Sequence, residues 1–160
     1  MIRVLFVCLG NICRSPLAQG IFEKKIDDAG LAHHFYSDSA GTSGWHQGEK
    51  PHSGSIHIAG LRGISIERQR SRPVSISDNQ EFDYFIAMDR SNRESLLREF
   101  AVPEENLFIV RSFEEDAASA NVPDPYGQGE EAFAEVFDIL DRSIEGLIRY
   151  LLDKHPELRG

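Results

Sequence analysis

Residues 4–16 read VLFVCLGNICRSP, a short apolar run that ends in a cysteine and is followed by a small loop and then Arg-Ser-Pro. The run from Ile2 to Val7 is apolar except for Arg3, which is typical of a strand that is covered on both faces of a sheet. Ser15 favours a helix N-cap and Pro16 a first helical residue, because proline lacks only an N–H that would be unpaired there. This stretch therefore predicts a strand, a loop and a helix.

The loop from Leu9 to Cys13 has the composition and position of an anion-binding site. Backbone N–H groups between a strand end and a helix N-terminus can point at one centre, and Gly10 allows the backbone to approach a ligand closely. Arg14 adds a planar fork of donors that matches two phosphate oxygens, and the same field favours the nucleophilic thiolate form of Cys8. A cysteine at a strand end is more often a small buried hydrophobic residue, so binding, redox work and catalysis all remain open at this point.

The segment from Cys8 to Pro16 resembles the signature of the low molecular weight protein tyrosine phosphatases, in which Cys-x-Gly-Asn-Ile-Cys-Arg-Ser-Pro forms the phosphate-binding loop. Ser39-Ala40-Gly41-Thr42 and Met88-Asp89-Arg90-Ser91-Asn92 also look like this family, so the resemblance spans nearly the whole chain. The resemblance implies that Cys8 is the nucleophile, that Ser15 donates a hydrogen bond to its thiolate and that Asn11 fixes the loop. It further implies that no metal or cofactor is needed and that phosphate is bound by Leu9, Gly10, Asn11, Ile12, Cys13, Arg14 and Ser15.

Composition limits the class of protein and its partners. A chain of 160 residues with 41% hydrophobic content fits one domain, residues 1–160. It has no apolar run that could span a membrane and no signal-peptide pattern, which predicts a soluble cytoplasmic protein. The formal net charge of -9 argues against nucleic acid and anionic membranes as partners, but a local phosphate site stays compatible with it because distant charges are screened. The oligomeric state stays open, with a monomer expected.

Alternating helical and strand patterns predict a single-domain α/β fold, a doubly wound sheet of about four parallel strands with helices on both faces. After the first strand, further strands are predicted over Phe35–Ala40, Phe82–Met88 and Leu107–Val110, and helices over Leu17–Ala29, Pro51–Leu61, Asp89–Phe100 and Phe133–Leu151. Ligands of such sheets lie beyond the carboxyl ends of the strands. Four connections should therefore meet there: Leu9–Arg14, Gly41–Trp45, Met88–Asp89 and Arg111–Gln128. The basic stretch Glu67–Pro73 is interpreted as a solvated loop in preference to a second phosphate site.

The long connection contains Val122-Pro123-Asp124-Pro125-Tyr126-Gly127, which supplies a candidate general acid. A thiolate that attacks a phosphate monoester expels an oxyanion, and the reaction gains from an acid that protonates the leaving oxygen. Asp-Pro alone is a common turn, but here two prolines stiffen the backbone around Asp124 at the correct sheet edge. Asp-Pro-Tyr also looks like the acid loop of the same family. Trp45 and Tyr126 are candidate walls for an aromatic leaving group, and ordinary partial burial is the alternative for both.

Several single residues refine the comparison with the family. Relatives that resemble phosphoarginine hydrolases tend to carry Thr at the position of Ile12, so Ile12 favours phosphotyrosine-containing proteins as substrates. The family suggests that Cys13 can form a reversible disulfide with Cys8, which would protect the nucleophile from over-oxidation. Gln69 stands where relatives often have a titrating histidine. Gly127 stands where some relatives have a second tyrosine, which argues against regulation by phosphorylation of a tyrosine pair.

Two other functions fit part of the pattern. A thiol-dependent arsenate reductase needs a relay of further cysteines, and the chain contains only Cys8 and Cys13. A non-catalytic phosphoprotein-binding module would use the anion site but has no reason to keep both Cys8 and Asp124. Both alternatives are therefore disfavoured against a protein tyrosine phosphatase.

Overall fold

Strand β1 (Ile2–Cys8) lies in the middle of the sheet, with β2 (Phe35–Gly41) on one side, β3 (Tyr84–Ala87) on the other and β4 (Leu107–Ile109) beyond β3. The computed structural model describes residues 1–159, and within them these four strands are all parallel. The predicted α/β fold with about four parallel strands is confirmed.

Helices cover both faces of this sheet, as the sequence predicts. Side chains of β1 alternate between the two hydrophobic clusters of the protein. Val4 and Phe6 belong to the cluster on one face of the sheet, and Leu5 and Val7 belong to the cluster on the other face. This alternation explains why β1 is apolar on both faces. None of the helices in residues 1–159 is both long and apolar enough to cross a lipid bilayer. The helices are α1 (Arg14–Asp28), α2 (Ser53–Leu61), the one-turn α3 (Asp78–Glu81), α4 (Arg90–Glu99) and α5 (Glu130–Lys154).

The start of α1 differs from the prediction, because Ser15 is not its N-cap. The helix begins at Arg14 with Cys13 at the N-cap position, and no side chain caps it. The Ser15 hydroxyl lies instead 3.0 Å from Cys8 Sγ, within hydrogen-bond distance of the sulfur. Pro16 is the third helical residue, and its missing N–H is still one that the first turn leaves unpaired.

Other boundaries shift by a few residues. The α2 helix begins at Ser53 because the His52 ring caps it, with Nδ1 accepting from the Gly54 N–H at 2.9 Å. Phe82 ends the short α3 helix, so the third strand is shorter than predicted. After β4, a 3₁₀ turn over Val110–Phe113 gives regular structure to part of the predicted long loop.

The interpretation of the basic stretch Glu67–Pro73 as a solvated loop is wrong for its second half. Ser71 is buried, and the half-buried Arg72 guanidinium bonds to Asp38 at 3.0 Å and to Asp78 at 3.1 Å. The stretch runs along the back of the loop that follows β1. Its exposed side chains, Arg68 and Arg70, are the part that faces solvent.

Candidate active site

Cys8 is the last residue of β1, and its sulfur is surrounded by the loop that follows. Its side chain is buried, the Asn11 N–H donates to Sγ at 3.3 Å, and the Ser15 hydroxyl lies 3.0 Å away. Asn11 adopts the left-handed conformation (φ 57°), which asparagine tolerates better than most residues. That conformation occurs at the residue whose N–H points at the sulfur. Donors at this distance stabilise a thiolate.

The Asn11 side chain holds the loop with both ends of its amide. Nδ2 donates to the hydroxyls of Ser15 at 2.8 Å and Ser39 at 2.9 Å, and Oδ1 accepts from the Arg72 N–H at 3.0 Å. Asn11 and Ser15 therefore lie behind Cys8 as supports rather than in the cavity in front of it. This is where the structure places two of the residues that the resemblance singled out.

Arg14 is almost completely buried and is held from one side. Its Nη1 donates to Asp89 Oδ2 at 2.7 Å and to the Val122 carbonyl at 3.0 Å. Nη2 and Nε take no part in these two hydrogen bonds. Burial by itself lowers the pKa of Arg14, but the negative charges of Cys8, Asp89 and Asp124 outweigh burial and raise that pKa above its usual value. The guanidinium therefore stays charged at any physiological pH.

Asp89 lies at the ligand-binding edge of the sheet, as predicted for the Met88–Asp89 connection, but its side-chain role was not predicted. One carboxylate oxygen accepts from the Asn92 N–H at 2.7 Å and caps α4, and the other orients Arg14. An aspartate directly after a strand at the ligand-binding edge of a parallel sheet is the signal that could have identified it.

Asp124 lines the same cavity as Arg14 and lies on the long connection before α5. Its Oδ2 is 4.0 Å from Arg14 Nη2, and its Oδ1 accepts from the Tyr126 N–H at 3.1 Å. The Val122 N–H donates to the Met88 carbonyl at 3.0 Å, which attaches the connection to the end of β3. With 46% of its side chain exposed, the carboxylate can meet a substrate that enters from solvent.

Cys8, Arg14 and Asp124 line one cavity of about 280 Å³. The predicted wall residues Trp45 and Tyr126 lie at its mouth, and both are largely exposed. His46 also lies there, with its ring centroid 6.2 Å from that of Tyr126, and sequence reasoning did not identify it. The cavity is lined by Cys8, Leu9, Gly10, Ile12, Cys13, Arg14, Ser43, Trp45, His46, Asp124 and Tyr126.

Cys13 lines this cavity as a second buried thiol, and neither cysteine is in a disulfide. Burial raises the pKa of Cys13 to about 12, and the negative charges of Cys8 and Asp124 add to the effect. Cys13 is therefore a neutral thiol at physiological pH.

Gln69 contacts the first turn of α1 through its side-chain amide. Its Nε2 donates to the Pro16 carbonyl at 3.1 Å, so an amide that cannot titrate supports the first turn of α1. Within residues 1–159, no three histidine, cysteine, aspartate or glutamate side chains gather in an arrangement that could hold a metal ion.

Comparison with known proteins places the chain among phosphatases. Residues 3–157 match the sequence profile described as low molecular weight phosphotyrosine protein phosphatase. The low molecular weight protein-tyrosine-phosphatase YfkJ of Bacillus subtilis is 45% identical over 150 residues, 92% of this chain and 94% of that protein. The crystal structure of YfkJ has a TM-score of 0.90 and covers 96% of each chain at 40% identity.

Two further structures are similar. A protein tyrosine phosphatase from Entamoeba histolytica with Hepes in its active site has a TM-score of 0.91, with 39% identity over 97% of this chain and 99% of that one. The Drosophila arginine phosphatase DARP has a TM-score of 0.86, with 28% identity over 94% of this chain and 98% of that one. With this profile match and these identities over nearly the whole length, the chain belongs to the low molecular weight phosphotyrosine protein phosphatase family of hydrolases.

Proposed function

We propose that the chain hydrolyses phosphotyrosine in protein substrates through a phosphocysteine intermediate, with Asp124 as general acid and base. The observation that carries this proposal is the arrangement of Cys8, Arg14 and Asp124 around one cavity, with the Asn11 N–H 3.3 Å from the Cys8 sulfur. A nucleophile, an oxyanion-binding group and an acid that surround one space are what transfer of a phosphoryl group requires.

The first half-reaction transfers the phosphoryl group to sulfur. The Cys8 thiolate attacks phosphorus, the bond between phosphorus and the tyrosine oxygen breaks, and Asp124 gives its proton to the leaving oxygen. The loop N–H groups and the Nη2 and Nε groups of Arg14 stabilise the charge on the three remaining phosphoryl oxygens. Asp89 keeps the Arg14 fork in place during this step.

The second half-reaction releases inorganic phosphate. Asp124, now a carboxylate, takes a proton from a water molecule, and the water oxygen attacks phosphorus as the bond between phosphorus and sulfur breaks. The products are inorganic phosphate and the Cys8 thiolate, which Asn11 and Ser15 stabilise. Asp124 ends protonated and ready for the next substrate.

The walls of the cavity support an aromatic substrate. Trp45 and Tyr126 stand on two different loops at its mouth, and the buried Ile12 side chain contributes an apolar lining deeper in. Flanking rings suit a phenyl group, and a deep slot leaves the shorter phosphoserine side chain out of reach of Cys8. Phosphoarginine is the second candidate, because the similar fold of DARP belongs to an arginine phosphatase. Ile12 favours phosphotyrosine over it.

We expect one peptide sequence carrying phosphotyrosine, phosphoserine or phosphoarginine to be hydrolysed with very different efficiencies. The value of kcat/KM for phosphotyrosine should exceed that for phosphoserine by about 100-fold or more, because only the longer side chain reaches Cys8. Released phosphate measures the rates, and the Cys8→Ser protein gives the background. A higher kcat/KM for phosphoarginine than for phosphotyrosine would contradict the proposed substrate class.

We also propose that Cys13 protects Cys8 from irreversible oxidation. Peroxide converts the Cys8 thiolate to a sulfenic acid, and the Cys13 sulfur then forms a disulfide with it as water leaves. With its pKa raised to about 12 by burial, Cys13 stays a neutral thiol near pH 7.5, and the sulfur that reacts first with peroxide is that of Cys8, to which the Asn11 N–H donates. Oxidation also removes the Cys8 charge, which is one of the causes that raise the Cys13 pKa.

Recovery from oxidation tests this role. After a pulse of hydrogen peroxide and then dithiothreitol, we expect the wild-type protein to regain most of its phosphatase activity and Cys13→Ser to regain much less. Without the second thiol, the sulfenic acid is oxidised further to forms that dithiothreitol does not reduce. Equal recovery in both proteins, at matched starting activity, would exclude the protective disulfide.

A further inference from the structure

The carbonyl groups of the phosphate-binding loop are held from outside the loop. Five of the six carbonyls from Cys8 to Cys13 accept a hydrogen bond from another segment of the chain. The pairs are Thr42 N–H to Cys8 O at 2.9 Å, Ser43 N–H to Leu9 O at 2.9 Å, Ser71 Oγ to Gly10 O at 3.0 Å, His52 N–H to Ile12 O at 2.7 Å and Ser55 Oγ to Cys13 O at 3.0 Å.

Because a peptide group is planar, a contact that fixes its carbonyl also fixes the direction of its N–H group. In a trans peptide the C=O of one residue and the N–H of the next point in opposite directions. Each carbonyl that is bonded outward therefore turns the following N–H toward the centre of the loop. The Gly10–Asn11 peptide shows this directly, because its carbonyl meets Ser71 while its N–H donates to Cys8 Sγ at 3.3 Å.

Two of the five donors are side-chain hydroxyls and not backbone groups. Ser71 holds the Gly10–Asn11 peptide, and Ser55, the third residue of α2, holds the Cys13–Arg14 peptide. Both serines are buried, with relative exposures of 4% and 0%. Neither contacts the cavity, and neither belongs to the sequence segments that predicted the site.

We propose that Ser55 and Ser71 are positioning residues that set the oxyanion affinity of the phosphate-binding loop. This inference rests on the proposed function, since it assigns phosphate to the N–H groups that the two serines orient. When the Ser71 hydroxyl is removed, the Gly10 carbonyl loses the one partner described for it within residues 1–159, and when the Ser55 hydroxyl is removed, the Cys13 carbonyl keeps only the first intrahelical bond of α1. A peptide plane that is held less firmly can turn its carbonyl toward the cavity, where the carbonyl repels an anion instead of attracting it.

Direct binding of inorganic phosphate tests the proposal without depending on turnover. We expect Ser55→Ala and Ser71→Ala each to weaken the Kd for phosphate by about three- to tenfold, the range of one hydrogen bond. The double variant should weaken it by about the product of the two, because each hydroxyl acts on a different peptide. Titration calorimetry measures Kd, and KM for p-nitrophenyl phosphate should rise with it while kcat changes less.

Ser143→Ala is the matched control. Ser143 is equally buried, but its hydroxyl lies 3.5 Å from Glu114, on a part of α5 that does not touch the loop. We expect this variant to lose thermal stability, as the other two do, without a change in phosphate affinity. Ser71→Thr, which keeps the hydroxyl, should bind phosphate close to the wild-type affinity.

Each outcome supports or overturns the proposal. Folded Ser55→Ala and Ser71→Ala proteins that bind phosphate as tightly as Ser143→Ala would overturn it, as would a Ser71→Thr protein that binds as weakly as Ser71→Ala. If one alanine variant does not fold, the phosphate affinity of the other variant decides alone. A wild-type protein that binds phosphate but shows no turnover would count against the proposed function and leave this test intact.

Discussion

Replacement of Cys8 by serine is expected to lower kcat for p-nitrophenyl phosphate by about 10⁴-fold or more, a loss typical of removing a catalytic nucleophile. The groups that hydrogen-bond to the sulfur, the Asn11 N–H and the Ser15 hydroxyl, stabilise an anion but are poor bases. A thiolate is the nucleophile of a cysteine enzyme, whereas a serine hydroxyl needs a base to remove its proton. Serine in this position would therefore remain an alcohol and would not attack phosphorus.

Two measurements distinguish a loss of the chemical step from a loss of phosphate binding. Acid-quenched wild-type enzyme should carry one covalent phosphoryl group by mass spectrometry during turnover, and Cys8→Ser should carry none. Calorimetry should show that Cys8→Ser still binds inorganic phosphate, because Arg14 and the loop N–H groups are unchanged. Turnover within about tenfold of the wild type would remove Cys8 from the mechanism.

Asp124→Asn is expected to slow hydrolysis of phenyl phosphates with poor leaving groups by about 10²- to 10³-fold, the usual contribution of a general acid. The change is nearly isosteric, and the asparagine oxygen can still accept from the Tyr126 N–H, so the turn should persist. The effect should be smaller for p-nitrophenyl phosphate, because p-nitrophenolate leaves without a proton. A plot of log kcat against leaving-group pKa should therefore be steeper for the variant.

Asp116→Asn provides a matched control in the same connection. Asp116 is exposed and has a left-handed backbone (φ 55°), which asparagine also tolerates, and it does not line the cavity. The same charge is lost without an acid at the site. Equal rate losses in the two variants would mean that Asp124 acts through overall charge and not as a proton donor.

The parts of the fold that could be predicted from sequence are those with local signals. A run that is apolar on both faces identified β1, and the spacing of Phe133, Phe137 and Leu140 identified α5. The loop residues around Cys8 followed from the strand-loop-helix pattern. The prediction for Ser15 is wrong because a serine hydroxyl at a helix start can either cap the helix or bond to a neighbouring thiol, and only the folded loop shows that it bonds to Cys8.

The contacts that sequence reasoning did not predict act across long chain separations. Asp89 reaches Arg14 from the end of β3, and Ser71 reaches Gly10 from a connection that looks solvated by composition. No spacing rule relates such pairs, since their proximity is created by the sheet order β2-β1-β3-β4. A parallel sheet does predict that strand ends converge, and that rule located the cavity even where it could not name every contact.

Because β1 is central in the sheet, Cys8 and Asp124 lie on segments that differ in local stability. Cys8 ends a strand that is hydrogen-bonded to a neighbour on both sides and is largely buried, so we expect its amides to be among the slowest to exchange with solvent. Asp124 lies on an exposed connection, where brief local openings suffice for exchange. In the proposed mechanism the nucleophile therefore ends the best-protected strand of the sheet, whereas the acid lies on a connection that can open locally without it.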